Sequence, residues 1–245
     1  KIESLISFLK IYDEISIKKI KNKSHKVEFF GKFSKGIGKH NTVTKLLDLL
    51  DKKKCLNNQK YLIKIKKNIP QKSGMGGGSM NAAALLRYLI KKKIVNISNK
   101  EANELAYKVG SDVILGLDSK NSILFKNRKV LRKKNKINFY LLITKPNFGC
   151  STRNIFSNVK MYSKTSYSNA NKNYFKTSYL LKSKNDLEKI VFKKYPEIKN
   201  LKSFLSKLPG TIFVRMTGSG SAIVAYFKSK KAVNKGAKIF KNKYK

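Results

Sequence analysis

A glycine-rich segment occupies residues 71–80, with the sequence Gln-Lys-Ser-Gly-Met-Gly-Gly-Gly-Ser-Met. It lies between a predicted strand and a predicted helix, so the N–H groups of a helix N-terminus would face its ligand. Glycine lets the backbone approach phosphate oxygens closely and adopt positive φ. The stretch from Gly74 to Ser79 therefore predicts a phosphate-binding loop. A glycine-rich turn without a ligand is the alternative.

This loop matches neither of two common nucleotide-binding motifs. No Lys follows its last glycine, as the P-loop requires. It also lacks the spacing and the later acidic residue of a dinucleotide-binding fingerprint. The loop by itself therefore indicates phosphate without identifying the ligand.

Asp112 is the second residue that could do chemistry. Acidic residues are scarce, with 13 Asp and Glu against 56 Lys and Arg, and Asp112 lies between Gly110-Ser111 and the apolar run Val113-Ile114-Leu115. Apolar neighbours predict partial burial, and a carboxylate kept in such surroundings is a candidate functional group. A helix cap is the alternative.

The elements that position these groups follow from apolar spacing and capping residues. Asn41-Thr42 precedes a helical apolar stripe, and the region from Ser98 to Glu101 starts a helix that ends at Gly110. A second glycine turn, Thr217 to Ser221, joins two predicted strands and is by itself typical of an ordinary hairpin. Residues 2–20 are predicted to form a strand, or a short helix that runs into a strand, and further strands are predicted at 26–30, 61–65, 139–144, 212–216 and 222–227. Further helices are predicted at 81–89, from 185 and from about 230. Residues 163–184 are predicted to form an irregular connection.

Composition bounds the class of protein. The 245 residues are 41% hydrophobic and 11% aromatic, which is enough for a core in one large or two small domains and excludes a wholly disordered chain. Cys55 and Cys150 have no Cys or His at metal-ligand spacing, so a disulfide framework and a zinc site are excluded. Only His25 and His40 could support histidine chemistry, so we expect carboxylate, hydroxyl and backbone groups to act.

Membrane association is not expected from this sequence. No apolar stretch approaches the length needed to span a bilayer, and no basic-then-apolar signal segment opens the chain. We therefore expect a soluble, cytoplasmic protein without a membrane partner.

The net charge of +43 has two interpretations. The excess is almost all lysine, spread along the chain with many Asn and Ile residues, and this pattern is typical of codon bias in an AT-rich genome. Selective recognition of bases or phosphates usually relies on arginine, whose planar fork binds in a bidentate manner. A nucleic-acid partner is therefore the less favoured interpretation, although charge distribution is a weak guide to partners.

The motifs together resemble those of a known family. Ile69-Pro70 followed by the run from Ser73 to Ala83 resembles the phosphate-binding motif of the GHMP small-molecule kinases. Further segments occur in the order of that family: Gly110-Ser111-Asp112-Val113, Asn185-Asp186-Leu187-Glu188, Tyr195-Pro196-Glu197-Ile198 and Arg215-Met216-Thr217-Gly218-Ser219-Gly220-Ser221-Ala222. The triple glycine is most similar to the branch that acts on 4-diphosphocytidyl-2-C-methyl-D-erythritol in the non-mevalonate isoprenoid pathway.

The resemblance implies ATP-dependent phosphorylation of the 2-hydroxyl of that substrate, with Mg²⁺ delivered by ATP and no dedicated metal-binding residues. Asp112 would be catalytic and take the hydroxyl proton. The residues implied to hold ATP are Pro70, Ser73, Gly74, Met75, Gly76, Gly77, Gly78 and Ser79. The residues implied to contact substrate are Thr152 by a polar contact, Phe156 by stacking on cytosine, and Thr217, Gly218, Ser219 and Gly220 by closing over the reacting groups.

The implied fold is α+β, the GHMP kinase fold. Its N-terminal ATP-binding half, residues 1–136, would resemble the second domain of ribosomal protein S5, and its C-terminal half, residues 137–245, a ferredoxin-like sandwich. The sequence is compatible with a monomer or a homodimer.

The chain departs from the family pattern at three places. Met80 replaces a small hydroxyl residue, and Ile114-Leu115-Gly116 replaces the usual Pro-Phe-Phe. The resemblance also implies that about 25 family residues precede Lys1. In the family, these residues include a Lys near the catalytic Asp and a Tyr-His pair that binds the cytidylyl group.

Three alternatives stay open at this level. The first is another GHMP kinase acting on homoserine, mevalonate or a sugar, against which the triple glycine and Asn185-Asp186-Leu187 argue. The second is a basic nucleic-acid-binding protein, indicated by the charge and the stretch from Tyr162 to Lys184. The third is an inactive relative or fragment that retains the fold.

Overall fold

Strands and helices are mixed along the chain in the computed structural model, which describes residues 3–133, 138–161, 163, 164, 167 and 173–244. The strands of the described residues are β1 (Ser4–Ile6), β2 (Glu14–Ile20), β3 (Lys26–Phe30), β4 (Lys60–Lys66), β5 (Asn121–Leu124), β6 (Val130–Lys133), β7 (Tyr140–Thr144), β8 (Thr211–Met216) and β9 (Ile223–Phe227). The helices are α1 (Thr42–Lys52), α2 (Gly77–Lys91), α3 (Asn99–Val109), α4 (Thr152–Ser157), α5 (Thr177–Lys182), α6 (Leu187–Lys194), α7 (Pro196–Ser206) and α8 (Lys230–Lys243), with a 3-10 helix at Val113–Leu117. The predicted α+β class is confirmed.

The strands form three-stranded sheets in the described part of the chain. Their orders are β1-β5-β6, β2-β4-β3 and β7-β9-β8. Every pairing is antiparallel except that of β3 with β4, which is parallel. The strand that ends just before the glycine loop is β4, and its central position in its sheet fixes where that loop begins.

Two main hydrophobic cores occupy the two halves of the chain. The first core packs α1, α2 and α3 against β4 through buried side chains such as Leu46, Ile63 and Leu86. The second packs α6 and α7 against β8 and β9 through side chains such as Leu205 and Phe227. Each half therefore has a main apolar core of its own.

Two of the predicted helix starts are confirmed in detail. The Asn41 side chain accepts hydrogen bonds from the N–H groups of Val43 and Thr44, and Thr44 Oγ1 accepts from the Asn41 N–H, which completes a capping box. Ser98 and Glu101 form the same arrangement at α3. These caps satisfy N–H groups that a helix start otherwise leaves without partners.

Some boundaries differ from the predictions. The helix predicted from Asn81 begins at Gly77, so the last part of the glycine segment is its first turn. The irregular connection predicted at 163–184 contains the short helix Thr177–Lys182. Part of this connection lies outside the described residues, and so does the predicted domain boundary at 136 and 137. The segment at 2–20, predicted as a strand or short helix that runs into a strand, contains two strands, β1 and β2.

Candidate active site

The glycine loop presents backbone N–H groups at the start of α2. Gly74 and Gly76 have φ of +73° and +70°, which only glycine adopts readily. The first α-helical hydrogen bond runs from the Met80 N–H to the carbonyl of Gly76 (2.9 Å). The N–H groups of Gly77, Gly78 and Ser79 come before this first helical hydrogen bond and have no acceptor within the helix. Together with the helix dipole they form an anion-binding position.

The second glycine turn, 217–221, is bound directly to the first loop. Thr217 Oγ1 donates to the carbonyl of Gly74 (3.0 Å), and the N–H groups of Ser221 and Ala222 donate to the carbonyls of Lys72 (3.2 Å) and Ser73 (3.1 Å). The structure thus brings together two segments that the sequence separates by more than a hundred residues. We call these two segments the interlocked loops.

Residues on α4, on α6 and just before α6 hold the second loop in place. Asn185 Nδ2 donates to the carbonyls of Met216 (2.8 Å) and Gly218 (2.8 Å), and Glu188 Oε1 accepts from the Met216 N–H (2.8 Å). Thr152 Oγ1 and Ser219 Oγ are 2.8 Å apart and share a hydrogen bond. The sequence singled out Asn185 as part of a motif, and the structure gives that motif a physical role.

Two of the implied substrate residues lie on α4. Thr152 is exposed at the start of this helix, and Phe156, half-buried, follows one turn later on the same face. Thr152 therefore joins the interlocked loops through Ser219, and Phe156 lies on the helix face beside it.

Asp112 immediately precedes the 3-10 helix. Its side chain makes no capping hydrogen bond to that helix, so the helix-cap interpretation is wrong. The predicted partial burial is also wrong in terms of solvent access, since the residue is exposed. Surrounding protein nevertheless desolvates the carboxyl and raises its pKa above the ordinary value, against the lowering effect of a hydrogen bond from Ser111 Oγ (3.2 Å).

The 3-10 helix packs against the first turns of α2. A Cβ at Gly116 would lie 2.6 Å from the Cβ of Ala83 and 2.9 Å from the Sδ of Met80. The family departures at positions 80 and 116 are therefore in contact, with the long Met80 side chain lying where a residue larger than glycine would project. This packing fixes Asp112 relative to the helix that begins at the phosphate loop.

Substituting Gly116 with Ala is expected to lower the free energy of unfolding by about 1–3 kcal/mol, because overpacking a close contact has that cost. Gly110→Ala is the matched control, since a Cβ there would lie at an ordinary 3.5 Å from Val113 and its φ of −178° suits any residue. Denaturant unfolding of both variants measures the difference. Equal effects at the two positions would contradict the packing described for Gly116.

A buried ion pair beside the loop was missed by sequence reasoning. Lys67 and Asp13 pair with side chains that are 4% and 0% exposed, and Asp13 also accepts hydrogen bonds from the N–H groups of Asn68 (2.8 Å) and Ile69 (2.9 Å) and from Asn81 Nδ2 (2.9 Å). A Cβ at Gly77 would lie 3.4 Å from Lys67 Nζ. Asp13 thus anchors the approach to the loop, and Lys67 brings a cation to the N-terminus of α2.

A cavity of about 200 Å³ opens next to Pro70. Its lining is strongly cationic and comprises Lys32, Phe33, Lys35, Pro70, Gln71 and Lys145. Gln71 Nε2 donates to the carbonyls of Phe33 (2.9 Å) and Lys35 (2.9 Å), which holds the 31–35 loop against the glycine segment. Its three lysines give this surface beside the glycine segment a positive potential.

Among the residues that the structure describes, no group of three or more His, Cys, Asp and Glu is placed to hold a metal ion. None of the helices in the same residues has both the length and the apolar character that crossing a bilayer requires.

Comparison with known families matches both halves of the chain. Residues 41–120 match the GHMP kinases N terminal domain, and residues 173–245 match the GHMP kinases C terminal domain. The chain belongs to the GHMP kinase family. The glycine loop, Asp112 and the 3-10 helix all lie within the first match, and the second glycine turn lies within the second.

Curated relatives cover nearly the whole chain. A 4-diphosphocytidyl-2-C-methyl-D-erythritol kinase of Pelagibacter ubique is 51% identical over 243 residues, which are 99% of this chain and 86% of that protein. The protein of the same name from Anaplasma marginale is 33% identical over 250 residues, covering 99% of this chain and 85% of its own length.

Solved structures share the fold. A crystal structure of 4-(cytidine 5'-diphospho)-2C-methyl-D-erythritol kinase superposes with a TM-score of 0.70 at 20% identity, covering 94% of this chain and 82% of that one. The homoserine kinase of Cytophaga hutchinsonii gives 0.69 at 17% identity, covering 95% and 81%. The fold is therefore that of GHMP kinases. The two TM-scores are nearly equal, so they do not indicate which of the two substrates a kinase of this fold would take. The resemblance drawn from the glycine motif is confirmed.

Proposed function

We propose that this chain transfers the γ-phosphoryl group of ATP to the 2-hydroxyl of 4-diphosphocytidyl-2-C-methyl-D-erythritol. The observation that carries the proposal is the 51% identity to a kinase of that substrate over 99% of this chain. The assembled site supports it, because the phosphate loop, the interlocked loops and Asp112 are the groups that such a transfer needs.

The proposed division of labour follows from the geometry. The N–H groups of Gly77, Gly78 and Ser79 would bind the ATP phosphates. The rest of the ATP-binding segment would be formed by Pro70, Ser73, Gly74, Met75 and Gly76. The second loop, with Thr217, Gly218, Ser219 and Gly220, would cover the reacting groups. Thr152 and Phe156 would contact the cytidylyl part of the substrate from α4.

Asp112 would act as the base. The substrate hydroxyl oxygen forms a bond to the γ-phosphorus while the bond from that phosphorus to the β–γ bridging oxygen breaks, and ADP departs. The hydroxyl proton passes to the Asp112 carboxylate. Most of the rate enhancement comes from holding hydroxyl and phosphate in line, since phosphoryl transfer needs mainly positioning and charge neutralisation.

Magnesium would enter with ATP. Near the loop the chain offers the hydroxyl of Ser79, which fits a metal whose remaining ligands are phosphate oxygens and water. Bound there, the ion would neutralise charge on the phosphates.

The pH dependence of turnover is expected to reflect the raised pKa of Asp112. Only the carboxylate can accept the hydroxyl proton, so kcat should fall as pH decreases through that pKa, above the pH at which an ordinary aspartate titrates. A kcat profile between about pH 4 and pH 9 checks this, with the stability of the fold measured at each pH. An acid limb at or below the ordinary aspartate range would contradict the desolvation of Asp112.

ADP release from ATP and magnesium tests the function directly. Release that depends on 4-diphosphocytidyl-2-C-methyl-D-erythritol, measured at near-physiological salt, is the expected result. Homoserine, mevalonate and galactose serve as competing substrates, and release with one of them instead would replace the proposed substrate. Absence of release with any substrate would overturn the assignment of this chain as an active kinase.

Two further parts of the proposal concern organisation. The separate hydrophobic cores support an N-terminal unit at 1–136 and a C-terminal unit at 137–245. A cytoplasmic location and a monomer or homodimer fit an ATP-dependent reaction on a small polar substrate, and neither requires a nucleic-acid partner.

A further inference from the structure

Arg132 on β6 holds backbone carbonyls of the 3-10 helix. Its Nη2 donates to the carbonyl of Ile114 (2.7 Å), and its Nη1 donates to those of Leu115 (2.7 Å) and Asp118 (3.0 Å) and to Ser122 Oγ (2.9 Å). The guanidinium group thus binds three backbone carbonyls and one hydroxyl, and the Asp118 carboxylate lies near enough to interact with its charge.

Arg87 on α2 adds a contact to the next carbonyl. Its Nη1 donates to the carbonyl of Gly116 (3.2 Å) and to Ser119 Oγ (3.1 Å). Three successive carbonyls, of Ile114, Leu115 and Gly116, thus bind arginine. We call Arg132 and Arg87 the carbonyl clamp.

A short 3-10 helix depends on such support. Hydrogen-bond geometry is poorer in a 3-10 helix than in an α-helix. Here the turn is joined to the preceding residues by hydrogen bonds from the Val113 N–H to the Gly110 carbonyl (3.1 Å) and from the Leu115 N–H to the Asp112 carbonyl (3.2 Å). Its last carbonyls have no donors within the helix. The planar fork of arginine can bind several of them at once in a fixed geometry.

The clamp links the base to the phosphate loop. The helix that carries Arg87 also begins at that loop, and Arg132 fixes the same turn from the neighbouring sheet. A displacement of about 1 Å between reacting groups costs on the order of 10²-fold in rate, so the rigidity of this turn bears on catalysis.

The two arginines act on the position of Asp112 through the backbone that follows it. The pKa of Asp112 is raised by desolvation and lowered by Ser111, with no contribution from an arginine. The arginines thus contact the peptide groups after Asp112 and leave its carboxylate to the substrate.

We propose that Arg132, assisted by Arg87, is a positioning residue that fixes Asp112 for phosphoryl transfer. The inference rests on the proposed function, because it assigns Asp112 the role of base.

The test compares Arg132→Met and Arg132→Lys with Arg128→Met. Arg128 is an exposed arginine of the same β5–β6 hairpin, and its guanidinium lies 5.8 Å from the Tyr107 ring centre. For each variant, calorimetric titration with ATP gives the concentration of ATP-binding sites, and kcat is calculated per such site. KM for ATP is measured alongside. Amide hydrogen exchange of peptides covering 110–120 reports the rigidity of the turn without requiring activity.

Arg132→Met is expected to lower kcat by about 10- to 100-fold with KM for ATP changed less than about 3-fold, and to speed exchange at 110–120. Arg132→Lys should keep part of the rate, because an ammonium can still bind one or two carbonyls. Arg128→Met should match the parent chain in all readouts.

Three results would overturn the inference: faster exchange with an unchanged kcat, unchanged exchange, or an equal loss of kcat in Arg128→Met. A parent chain without turnover on any substrate would instead overturn the proposed function. Exchange at 110–120 would then still decide whether the clamp rigidifies the turn.

Discussion

Replacement of Asp112 by Asn is expected to reduce kcat by about 10³-fold or more, while ATP binding persists. The amide has the shape of the carboxyl, so the turn and its contact with Ser111 can remain, but it cannot accept the hydroxyl proton. The phosphate-binding groups belong to a different segment and are not altered. ADP release measures the rate, and calorimetric titration with ATP measures binding.

Glu104→Gln is the control for that variant. Glu104 is an exposed acidic residue of α3, and the same carboxylate-to-amide change is made there on another element. Its substitution should leave kcat within about 2-fold of the parent, as is usual for exposed positions. If Asp112→Asn retained turnover at the level of this control, Asp112 would not be the base.

Gly74→Ala is the second substitution with a large expected effect. The residue has φ of +73°, and its Cβ would overlap the carbonyl oxygen of Thr217 and lie 2.8 Å from the Gly220 nitrogen. Both clashing groups are backbone, so neither can rotate away. We expect a loss of about 2–4 kcal/mol in the free energy of unfolding, from left-handed strain plus overpacking, together with a large rise in KM for ATP.

Gly76→Ala separates strain from clash. Gly76 has nearly the same φ, +70°, but a Cβ there meets nothing within 4 Å. It should therefore cost only the strain, about 1 kcal/mol. Thermal or denaturant unfolding compares the two variants, and equal losses would show that the loops are not in the contact described here.

Local sequence signals predicted much of the fold. Asn41 and Ser98 could be recognised as helix caps because each cap is formed by residues within three positions of one another. Gly74 and its neighbours could be recognised because glycine and the following apolar helix are adjacent in sequence. Such features depend on short-range physics, which a single sequence contains in full.

The parts that could not be predicted join distant segments. Asp13 lies just before a strand, and its partner Lys67 is 54 positions away. Nothing near Arg132 indicates that it binds carbonyls from 14 to 18 residues earlier. The solvent access of Asp112 likewise depends on how α2 and the 3-10 helix pack, so its apolar neighbours gave the wrong degree of burial.

The interlocked loops have a consequence for how the molecule unfolds. Two separate cores would ordinarily allow each half to melt independently, in two transitions. Here backbone groups of Lys72, Ser73 and Gly74 find their hydrogen-bond partners on residues 217–222 of the other half. Loss of either half would expose those partners and leave the phosphate loop without its shape. The proposed ATP site would thus depend on both halves, and we expect them to unfold in one cooperative event.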